Sequence, residues 1–270
     1  MFLLNEYKKS KIIVAHVNYN LRKSSNRDQK IVEDFCNKNN IELRTLVIKK
    51  KPVGNLENWA REIRYKFFKE IYSEKECTRL MTGHHRDDFL ETAIMQQESN
   101  RVPEFFGIKR KREIDGMNIV RPFINIYWKK EILADLEKAG VEFGVDETNK
   151  DLKLTRNRIR DDISKWPMKK KKSYVSWFRM SNRILKKKNK RVNSAYIKWE
   201  KSGFSVKSFR SIYKYKVDIV FKYVHAKHGN VKLSSDKLKS IVAFIEAPEG
   251  NKKFKLNDKK TILKKDGVLS

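Results

Sequence analysis

Residues 78–94, TRLMTGHHRDDFLETAI, contain the transition from strand to helix that decides the fold class. Residues 78–82 predict a strand that ends at Gly83, and a helix is predicted to begin near Asp87. A polar segment therefore lies where a strand ends and a helix begins. In an open parallel sheet, this is the edge at which ligands bind.

The same alternation of strands and helices extends on both sides of that segment. The other predicted strands are short β-branched runs, and each predicted helix places apolar residues on one face. Strands are predicted at residues 11–15, 41–48 and 117–120, and helices at residues 29–39, 56–72 and 129–139. Such alternation is typical of an α/β protein with a parallel sheet.

The composition changes after Pro167, where four consecutive lysines begin a Lys-rich and mainly helical pattern. We therefore predict two domains, residues 1–166 and residues 167–270, of which the second is smaller, basic and mainly helical. A helix at 238–244 and two short strands at 254–256 and 261–263 are expected in it. Its expected core is Trp177, Phe178, Ile184, Tyr196, Trp199, Phe209, Ile212 and Tyr215.

The charge of the chain indicates a polyanionic partner. The 270 residues carry a formal net charge of +30, and residues 166–270 alone contain 29 Lys and Arg against 7 Asp and Glu. Nucleic acid is the leading partner for such a surface, although an AT-biased genome would produce part of the lysine excess without any function. No apolar run approaches the roughly 20 residues that span a bilayer. A cytoplasmic protein without a membrane partner is therefore expected.

The two cysteines, Cys36 and Cys77, form no CxxC pair. Neither a disulfide framework nor a metal knuckle is indicated, and core packing is their expected role.

Two interpretations remain open for the polar segment after residue 82. Asp88 and Glu91 lie one helical turn apart, so their carboxylates share a face and could hold Mg²⁺ against a triphosphate. Alternatively, Asp87 or Asp88 is a helix N-cap, a position that favours acidic residues. His84 and His85 are likewise either catalytic or simply packed, because their spacing suits no standard zinc site.

Five sequence blocks occur in an order that resembles the catalytic domain of tRNA(Ile)-lysidine synthetases. They are AHVNYNLR (15–22), NLENWAREIRYKFF (55–68), TGHHRDDFLETAIM (82–95), NIVRPF (118–123) and DETNKDLKLTRNRIR (146–160). The resemblance implies a PP-loop domain with the adenine-nucleotide α-hydrolase-like fold. It also implies ATP-dependent ligation of free L-lysine to carbon 2 of the wobble cytidine in the CAU anticodon of tRNA(Ile), through an adenylated intermediate. ATP and Mg²⁺ are the implied cofactors.

The resemblance also implies roles for individual residues. Catalytic roles fall on His84, Asp87, Asp88 and Glu91, with Asp88 and Glu91 as the Mg²⁺ ligands. Contacts to the nucleotide fall on His16, Asn18, Arg22, Arg61 and Gly83. Contacts to the tRNA or to its flipped cytidine fall on Arg64, Arg121, Asn157, Arg158 and Arg160. For Arg61 and Arg64, a solvated helix face is the alternative.

This chain departs from the family pattern at two places. Tyr19 stands where the family usually has histidine, which puts the role of that position in doubt. The chain also has no glycine before Gly54, whereas the family carries an SGGxDS loop whose backbone N–H groups cradle phosphate. Residues 1–4 read like the helix that follows this loop, so we expect a start codon assigned too late or a shortened chain.

Two other functions are compatible with the sequence. A PP-loop tRNA thiolation enzyme shares the core but would need cysteines arranged for sulfur transfer. A non-catalytic RNA-binding protein on a degenerate PP-loop fold would keep the basic surface without the phosphate cradle. The oligomeric state stays open, with a homodimer as one alternative.

Overall fold

The computed structural model of the protein describes residues 11–49, 56–99, 103–144, 155–229, 231–248, 250 and 252–270. Contacts divide the chain into two compact units, Met1–Arg179 and Met180–Ser270. The expected helix at residues 1–4, Gly54, and the 146–154 part of the last sequence block lie outside the described residues.

The first unit contains parallel strand pairs, which confirms the predicted α/β class. Strand β1 (Ile13–Asn18) leads through helix α1 (Ser25–Lys38) to strand β2 (Glu42–Val47). The two strands pair in parallel, from Ile13 opposite Glu42 to Asn18 opposite Val47. The carboxyl ends of both strands therefore lie at the same edge.

A second sheet of this unit has the strand order β3-β5-β4. Strand β3 (Leu80–Met81) is parallel to β5 (Met117–Val120), and β4 (Lys111–Ile114) is antiparallel to β5. Strand β3 is shorter than the predicted 78–82. Strand β4 was not predicted from the sequence, because KREI is largely charged and exposed.

Three of the four helices that follow these strands agree with predicted helices to within a few residues, whereas the helix at residues 155–164 was not predicted. In chain order they are α2 (Leu56–Glu74), α3 (Arg86–Glu98), α4 (Lys129–Lys138) and α5 (Thr155–Ser164), with a 3₁₀ turn at Pro122–Asn125. A hydrophobic core joins Phe89 and Leu90 of α3 to Ile159 and Ile163 of α5. Packing of α5 against α3 sets the geometry of the site described below.

Helix α6 (Met168–Lys201) contributes residues to both units. Its first turns place Val175 and Phe178 in the same core as α3 and α5. Contacts consequently divide the chain after Arg179 and not after residue 166. The two functional domains, 1–166 and 167–270, stay a prediction.

The second unit is mainly helical, as predicted. Its elements after α6 are α7 (Val206–Arg210), α8 (Lys216–His228), α9 (Ser235–Glu246) and the antiparallel strands β6 (Lys252–Lys255), β7 (Thr261–Lys265) and β8 (Val268–Leu269). Helix α9 and strands β6 and β7 confirm the elements expected at the end of the chain. Trp199 is fully buried at the centre of the unit, with Tyr196, Phe209 and Tyr223 around it.

Three members of the expected aromatic core lie elsewhere. Phe178 belongs to the core of the first unit, while Trp177 and Ile184 are exposed. The buried positions of α6 include 178, 185, 192 and 199, a seven-residue repeat. Residues 177 and 184 each precede that stripe by one position, which rotates them by about 100° towards solvent.

In the part of the chain that the structure describes, no helix is both long and apolar enough to cross a lipid bilayer.

Candidate functional site

Helix α3 begins at the carboxyl end of β3, as the sequence predicted. His85 is its N-cap, and Asp88 at the third helical position accepts a hydrogen bond from the His85 backbone N–H through Oδ2, at 2.9 Å. This arrangement is half of a capping box, in which a carboxylate satisfies an otherwise unpaired N–H group. The prediction of Asp87 or Asp88 as the N-cap is therefore wrong, although Asp88 does cap the helix from its third position.

Asp87 connects the start of α3 to two other helices. Its Oδ2 accepts from the Lys129 backbone N–H at 2.8 Å, and its Oδ1 lies 3.4 Å from Lys171 Nζ. Burial alone would raise the pKa of Asp87, but the His85 side chain, the Lys129 N–H and the Lys171 charge outweigh it and lower the pKa to about 2. Asp87 is therefore a charged structural tie between α3, α4 and α6.

Asp88 and Glu91 share one face of α3, as their spacing predicted, and two arginines of α5 engage them. Arg156 donates from Nη2 to Asp88 Oδ1 at 3.1 Å and from Nε to Glu91 Oε2 at 3.0 Å. Arg160 donates to both Glu91 oxygens, at 2.8 and 3.0 Å. Glu91 is only 2% exposed, so these charge-assisted bonds are what makes its burial tolerable.

This pairing leaves little capacity for a metal ion. Both Asp88 oxygens and both Glu91 oxygens already accept hydrogen bonds. Across the described ranges of the chain, no group of three or more His, Cys, Asp or Glu side chains could hold a metal ion. The carboxylates therefore do not fit a Mg²⁺ site in this arrangement, and their role as Mg²⁺ ligands stays a prediction.

His84 lies in a strongly basic environment. Thr82 Oγ1 is 2.9 Å from its Nδ1. Burial lowers the pKa of His84 to about 4; Asp88 opposes the shift, and Arg121, Arg156 and Arg64 add to it. A neutral imidazole near pH 7 thus faces one carboxylate and three guanidinium groups. We call His84, Asp88, Arg64, Arg121 and Arg156 the His84 cluster.

Arg121 is buried within this cluster, at 4% exposure. Its Nη1 donates to the Lys109 carbonyl at 2.8 Å, and its Nε has no hydrogen-bond partner among the described residues. Burial lowers the pKa of Arg121, while Tyr65 raises it. The resemblance implied a contact between Arg121 and the tRNA. So buried a side chain is better placed to bind a small anion inside the cluster than a phosphate on the surface of a tRNA.

The two predicted arginines of α2 border the same place. The Arg61 and Arg64 guanidinium carbons lie 4.6 and 5.9 Å from the centroid of the Tyr65 ring. Their stacking on an aromatic ring fixes the charges that face the cluster. The solvated-face alternative therefore does not describe Arg64.

Gly83 supplies the space. A Cβ atom built on it would meet no atom within 4 Å, and its φ lies outside the left-handed region. Neither packing nor conformation requires glycine there. Open space next to His84, whose surrounding arginines include the buried Arg121 with an unpaired Nε–H, fits a polyphosphate.

The loop after β1 contains the remaining predicted nucleotide contacts. Asn18 is buried; its amide donates to Asn26 Oδ1 and Gln29 Oε1 at 3.1 and 2.8 Å, and its Oδ1 accepts from the Asn20 N–H at 2.8 Å. Its amide therefore shapes the loop. The Arg22 N–H donates to Ser25 Oγ at 3.2 Å, which continues the turn.

His16 and Tyr19 face different neighbours. Burial lowers the pKa of His16, and Glu33 and Asp28 of α1 oppose the shift, so the imidazole lies towards α1. The Tyr19 hydroxyl donates to the Ala60 carbonyl of α2 at 2.9 Å. Burial raises the pKa of Tyr19, and nearby Arg64 opposes this shift. Tyr19, more than His16, therefore joins the loop to the His84 cluster.

Helix α5 distributes its predicted tRNA contacts unevenly. Asn157 is buried, Arg160 pairs with Glu91, and Arg158 pairs with Glu98 at 2.6 Å on the surface. Arg156, which sequence reasoning did not single out, is the residue that bridges Asp88 and Glu91. Arg156 and Arg160 lie about one helical turn apart, as Asp88 and Glu91 do, but only the packing of α5 on α3 brings the two pairs together.

Comparison with known proteins agrees with the fold and the motifs. Residues 1–166 match the model of a family described as a PP-loop domain, ATP_bind_3. A U34-tRNA thiolase, NcsA from Methanococcus maripaludis, solved with its [4Fe-4S] cluster, has a TM-score of 0.55 at 20% identity over 68% of this chain and 66% of its own. At that identity the likeness concerns the fold alone.

Relatives align along the whole chain. The tRNA(Ile)-lysidine synthase of Mycoplasmopsis pulmonis is 38% identical over 100% of this chain and 94% of its own length. Those of Mesomycoplasma hyopneumoniae and Mycoplasma pneumoniae are 36% and 33% identical, covering 98% and 100% of this chain and 89% and 93% of their own lengths. Matches of this extent, together with the PP-loop domain match, show that the chain belongs to the tRNA(Ile)-lysidine synthase family.

Proposed function

We propose that this protein is an ATP-dependent ligase that modifies tRNA(Ile), joining L-lysine to carbon 2 of the wobble cytidine in the CAU anticodon. The observation that carries the proposal is the His84 cluster, where three arginines act on His84 and open space adjoins the neighbouring Gly83, after the end of β3. ATP supplies the group that activates the cytidine oxygen; the lysine amine then replaces that group, and AMP and pyrophosphate leave.

The arginines have the role of holding phosphate. Buried guanidinium groups bind phosphate oxygens bidentately and cost little reorganisation when they are already fixed. Arg156 is fixed by Asp88 and Glu91, and Arg121 by the Lys109 carbonyl. An anion would satisfy the Arg121 Nε that now lacks a partner.

His84 has the role of a hydrogen-bonding group beside the phosphates. With a pKa of about 4 it is a weak base near neutral pH, far from the match that general-base catalysis prefers. A bound polyphosphate would partly neutralise the three arginines and raise this pKa. We therefore assign His84 to orientation of the nucleotide and not to deprotonation of lysine.

We propose that Mg²⁺ enters with the nucleotide, since the described carboxylates are occupied by arginines and backbone N–H groups. The tRNA is proposed to contact the exposed Arg158 and the basic second unit. A cytoplasmic location and a homodimer are further proposals; sedimentation of the purified protein tests the latter.

The proposal is tested by incubating the full chain with ATP, isotopically labelled L-lysine and a tRNA(Ile) transcript with a CAU anticodon. Digestion to nucleosides followed by mass spectrometry should reveal labelled lysidine, with AMP formed in equal amount. A transcript with uridine at the wobble position is the control and should take up no label. Lysine-independent ATP consumption with no labelled nucleoside would overturn the proposal.

The Asp88→Asn variant adds a test of the site. The substitution removes one of the two carboxylate charges that hold Arg156, so we expect lysidine formation to be abolished while tRNA affinity stays within a few-fold. Glu98→Gln, an exposed carboxylate of the same helix, is the matched control and should keep its activity. Near-normal turnover by Asp88→Asn would contradict the assigned site.

The two competing functions, tRNA thiolation and RNA binding without catalysis, are distinguished from lysidine synthesis by cysteine chemistry and by the same assay. Thiolation needs an activated cysteine, but Cys36 is buried, and burial raises the pKa of its thiol. A low pKa is what makes thiols reactive. An RNA-binding protein without catalysis would bind the transcript but form neither lysidine nor AMP.

A further inference from the structure

The second unit contains a cavity of about 430 Å³ that the proposed reaction does not use. It lies between the last turns of α6 and the turn that leads into α8. Arg191, Lys198, Trp199, Tyr213, Lys214 and Tyr215 are among its lining residues. Its volume falls within the range of small-ligand sites.

The charge of the cavity suits an anion. Arg191 and Lys198 are seven residues apart on α6 and so lie on one face of the helix. Within the described chain, neither they nor Lys214 pairs with a carboxylate, and the cavity lining includes no Asp or Glu. The nearby Asp218 is neutralised by Lys188 at 2.7 Å.

An exposed aromatic ring stands at the cavity. Tyr213 is 89% exposed, more than any other large hydrophobic residue of the described chain. Lys214 Nζ lies 5.4 Å from the centroid of its ring. An aromatic face beside cations is the arrangement on which nucleic-acid bases stack in single-stranded sites.

The backbone next to this ring is constrained. Tyr215 has φ 65° and ψ 24°, a left-handed conformation that costs a non-glycine residue about 1 kcal/mol or more. Such a conformation persists only when its surroundings enforce it, and Tyr215 packs against the core of the unit. The turn from Tyr213 to Tyr215 is therefore preorganised, which lowers the entropic cost of binding.

We infer that this cavity binds an unpaired nucleotide of the tRNA, with its base stacked on Tyr213 and the flanking phosphates held by Arg191, Lys198 and Lys214. The choice of tRNA as the partner rests on the proposed function. Unpaired bases are the part of an RNA that offers a free aromatic face, whereas a duplex keeps its bases stacked.

The first test measures binding of the full chain to a single-stranded RNA of about 12 nucleotides, by fluorescence anisotropy. Tyr213→Ala should weaken binding by about 5- to 100-fold, the range expected for one stacked base, and leave binding to a duplex of the same sequence unchanged. Tyr213→Trp should bind within a few-fold of the wild type. Phe221→Ala, another exposed aromatic of this unit, is the control.

The second test separates stacking from charge. Tyr213→Ala should leave the slope of log Kd against log salt unchanged, because no phosphate contact is lost. Lys198→Gln should reduce that slope by about 0.7, the value per phosphate of a single strand. Lys265→Gln, exposed and outside the cavity, should reduce it much less.

An unaltered affinity of Tyr213→Ala for single-stranded RNA, or a Trp variant as weak as the Ala variant, would overturn the inference. That result leaves the proposed function intact if the wild-type protein forms lysidine. In the converse result, the wild-type protein forms no lysidine while Tyr213→Ala still weakens RNA binding. That result would support the cavity as an RNA site and contradict the proposed function.

Discussion

At the residue scale, the pairing of Arg156 with two carboxylates fixes a guanidinium group that we propose to hold phosphate. Arg156→Gln should lower the free energy of unfolding by about 1–3 kcal/mol, because Glu91 keeps Arg160 but loses half of its charged partners. Lysidine formation should fall at least tenfold. Arg158→Gln is the matched control, since its ion pair with Glu98 is exposed and should change stability by less than about 0.5 kcal/mol. Urea denaturation of both variants measures the change in the free energy of unfolding. Equal decreases for the two variants would contradict the special role of the Arg156 ion pairs.

His84 makes a prediction about pH. Its pKa is about 4 in the folded protein and near 6.5 in the unfolded chain, so folding keeps the imidazole neutral. The contribution of His84 to the free energy of unfolding should be constant above pH 6.5. It should fall as the pH drops from 6.5 towards 4, by about 2–3 kcal/mol in total. Asp87, with a pKa of about 2, acts only below this window.

Chemical denaturation of the wild type and of His84→Asn at a series of pH values measures this effect. The variant lacks the titrating group. The free energy of unfolding of the wild type minus that of the variant should therefore decrease from pH 7 to pH 4. A difference that is independent of pH would show that the folded imidazole titrates normally.

The residue types in the motifs predicted which side chains belong to functional positions, but they did not predict which side chains form ion pairs or hydrogen bonds with each other. The motifs predicted catalytic roles for His84 and Asp88 and tRNA contacts for Arg64 and Arg121. In the structure, the charged groups of Asp88, Arg64 and Arg121 all act on the same imidazole, that of His84. The sequence did not single out Arg156, and it did not indicate that Arg121, predicted to contact tRNA phosphates or the flipped cytidine, is buried. Both outcomes depend on how α5 and β5 pack, which a local pattern of residue types does not encode.

At the scale of elements, the end of helix α9 is closed by a buried cation. Lys264 of β7 is 1% exposed, and its Nζ donates to the carbonyls of Phe244, Ala247 and Pro248 at 2.9, 3.1 and 3.3 Å. Positive charge at a helix C-terminus complements the helix dipole and satisfies carbonyls that lack intrahelical partners.

Lys264→Met should lower the free energy of unfolding by about 1–3 kcal/mol, since the methionine fills the space but leaves those carbonyls without a donor. Lys265→Met is the matched control, because adjacent residues of a strand point to opposite faces and Lys265 is exposed. Urea denaturation measures both. Faster amide hydrogen exchange in the last turn of α9 should accompany the loss; equal stability of the two variants would contradict the capping role.

The sequence predicted helices more completely than strands. Helices α2, α4 and α9 have clear apolar faces and stop signals such as Gly140. Strand β4 is mostly charged, and its best signal was the turn at Asp115 and Gly116, where both φ angles are positive, at 50° and 75°. Such a pair favours a two-residue hairpin, so the turn was a stronger indication than the strand.

At the scale of the whole molecule, the basic charge is expected to govern how tRNA affinity depends on salt. Replacing Lys186, Lys187 and Lys190 of α6 with glutamine should reduce the slope of log Kd against log salt by up to about 2. Replacing Lys30, Lys38 and Lys138 of the first unit is the matched control. Each triple removes three charges from +30, leaving +27, so net charge is the same. Equal slopes for the two variants would mean that the lysines reflect composition alone.

Domain boundaries were harder to predict than charge. The composition shift at Pro167 marks where the lysines begin. These lysines lie on the solvent-facing side of α6, so they do not indicate which unit the buried side of the helix packs with. Val175 and Phe178 face inwards and pack with the first unit, which is why the contacts divide later.

The open space at Gly83 has a genetic consequence. Alanine there meets no atom and strains no backbone angle, so a Gly83→Ala protein should fold, escape proteolysis and reach normal abundance in the cell. Its methyl group would nevertheless occupy the space that we propose for the nucleotide. Such a protein would still sequester tRNA, so overproducing it beside the normal copy should impair growth. The allele would then be dominant-negative, whereas a destabilised variant would be recessive.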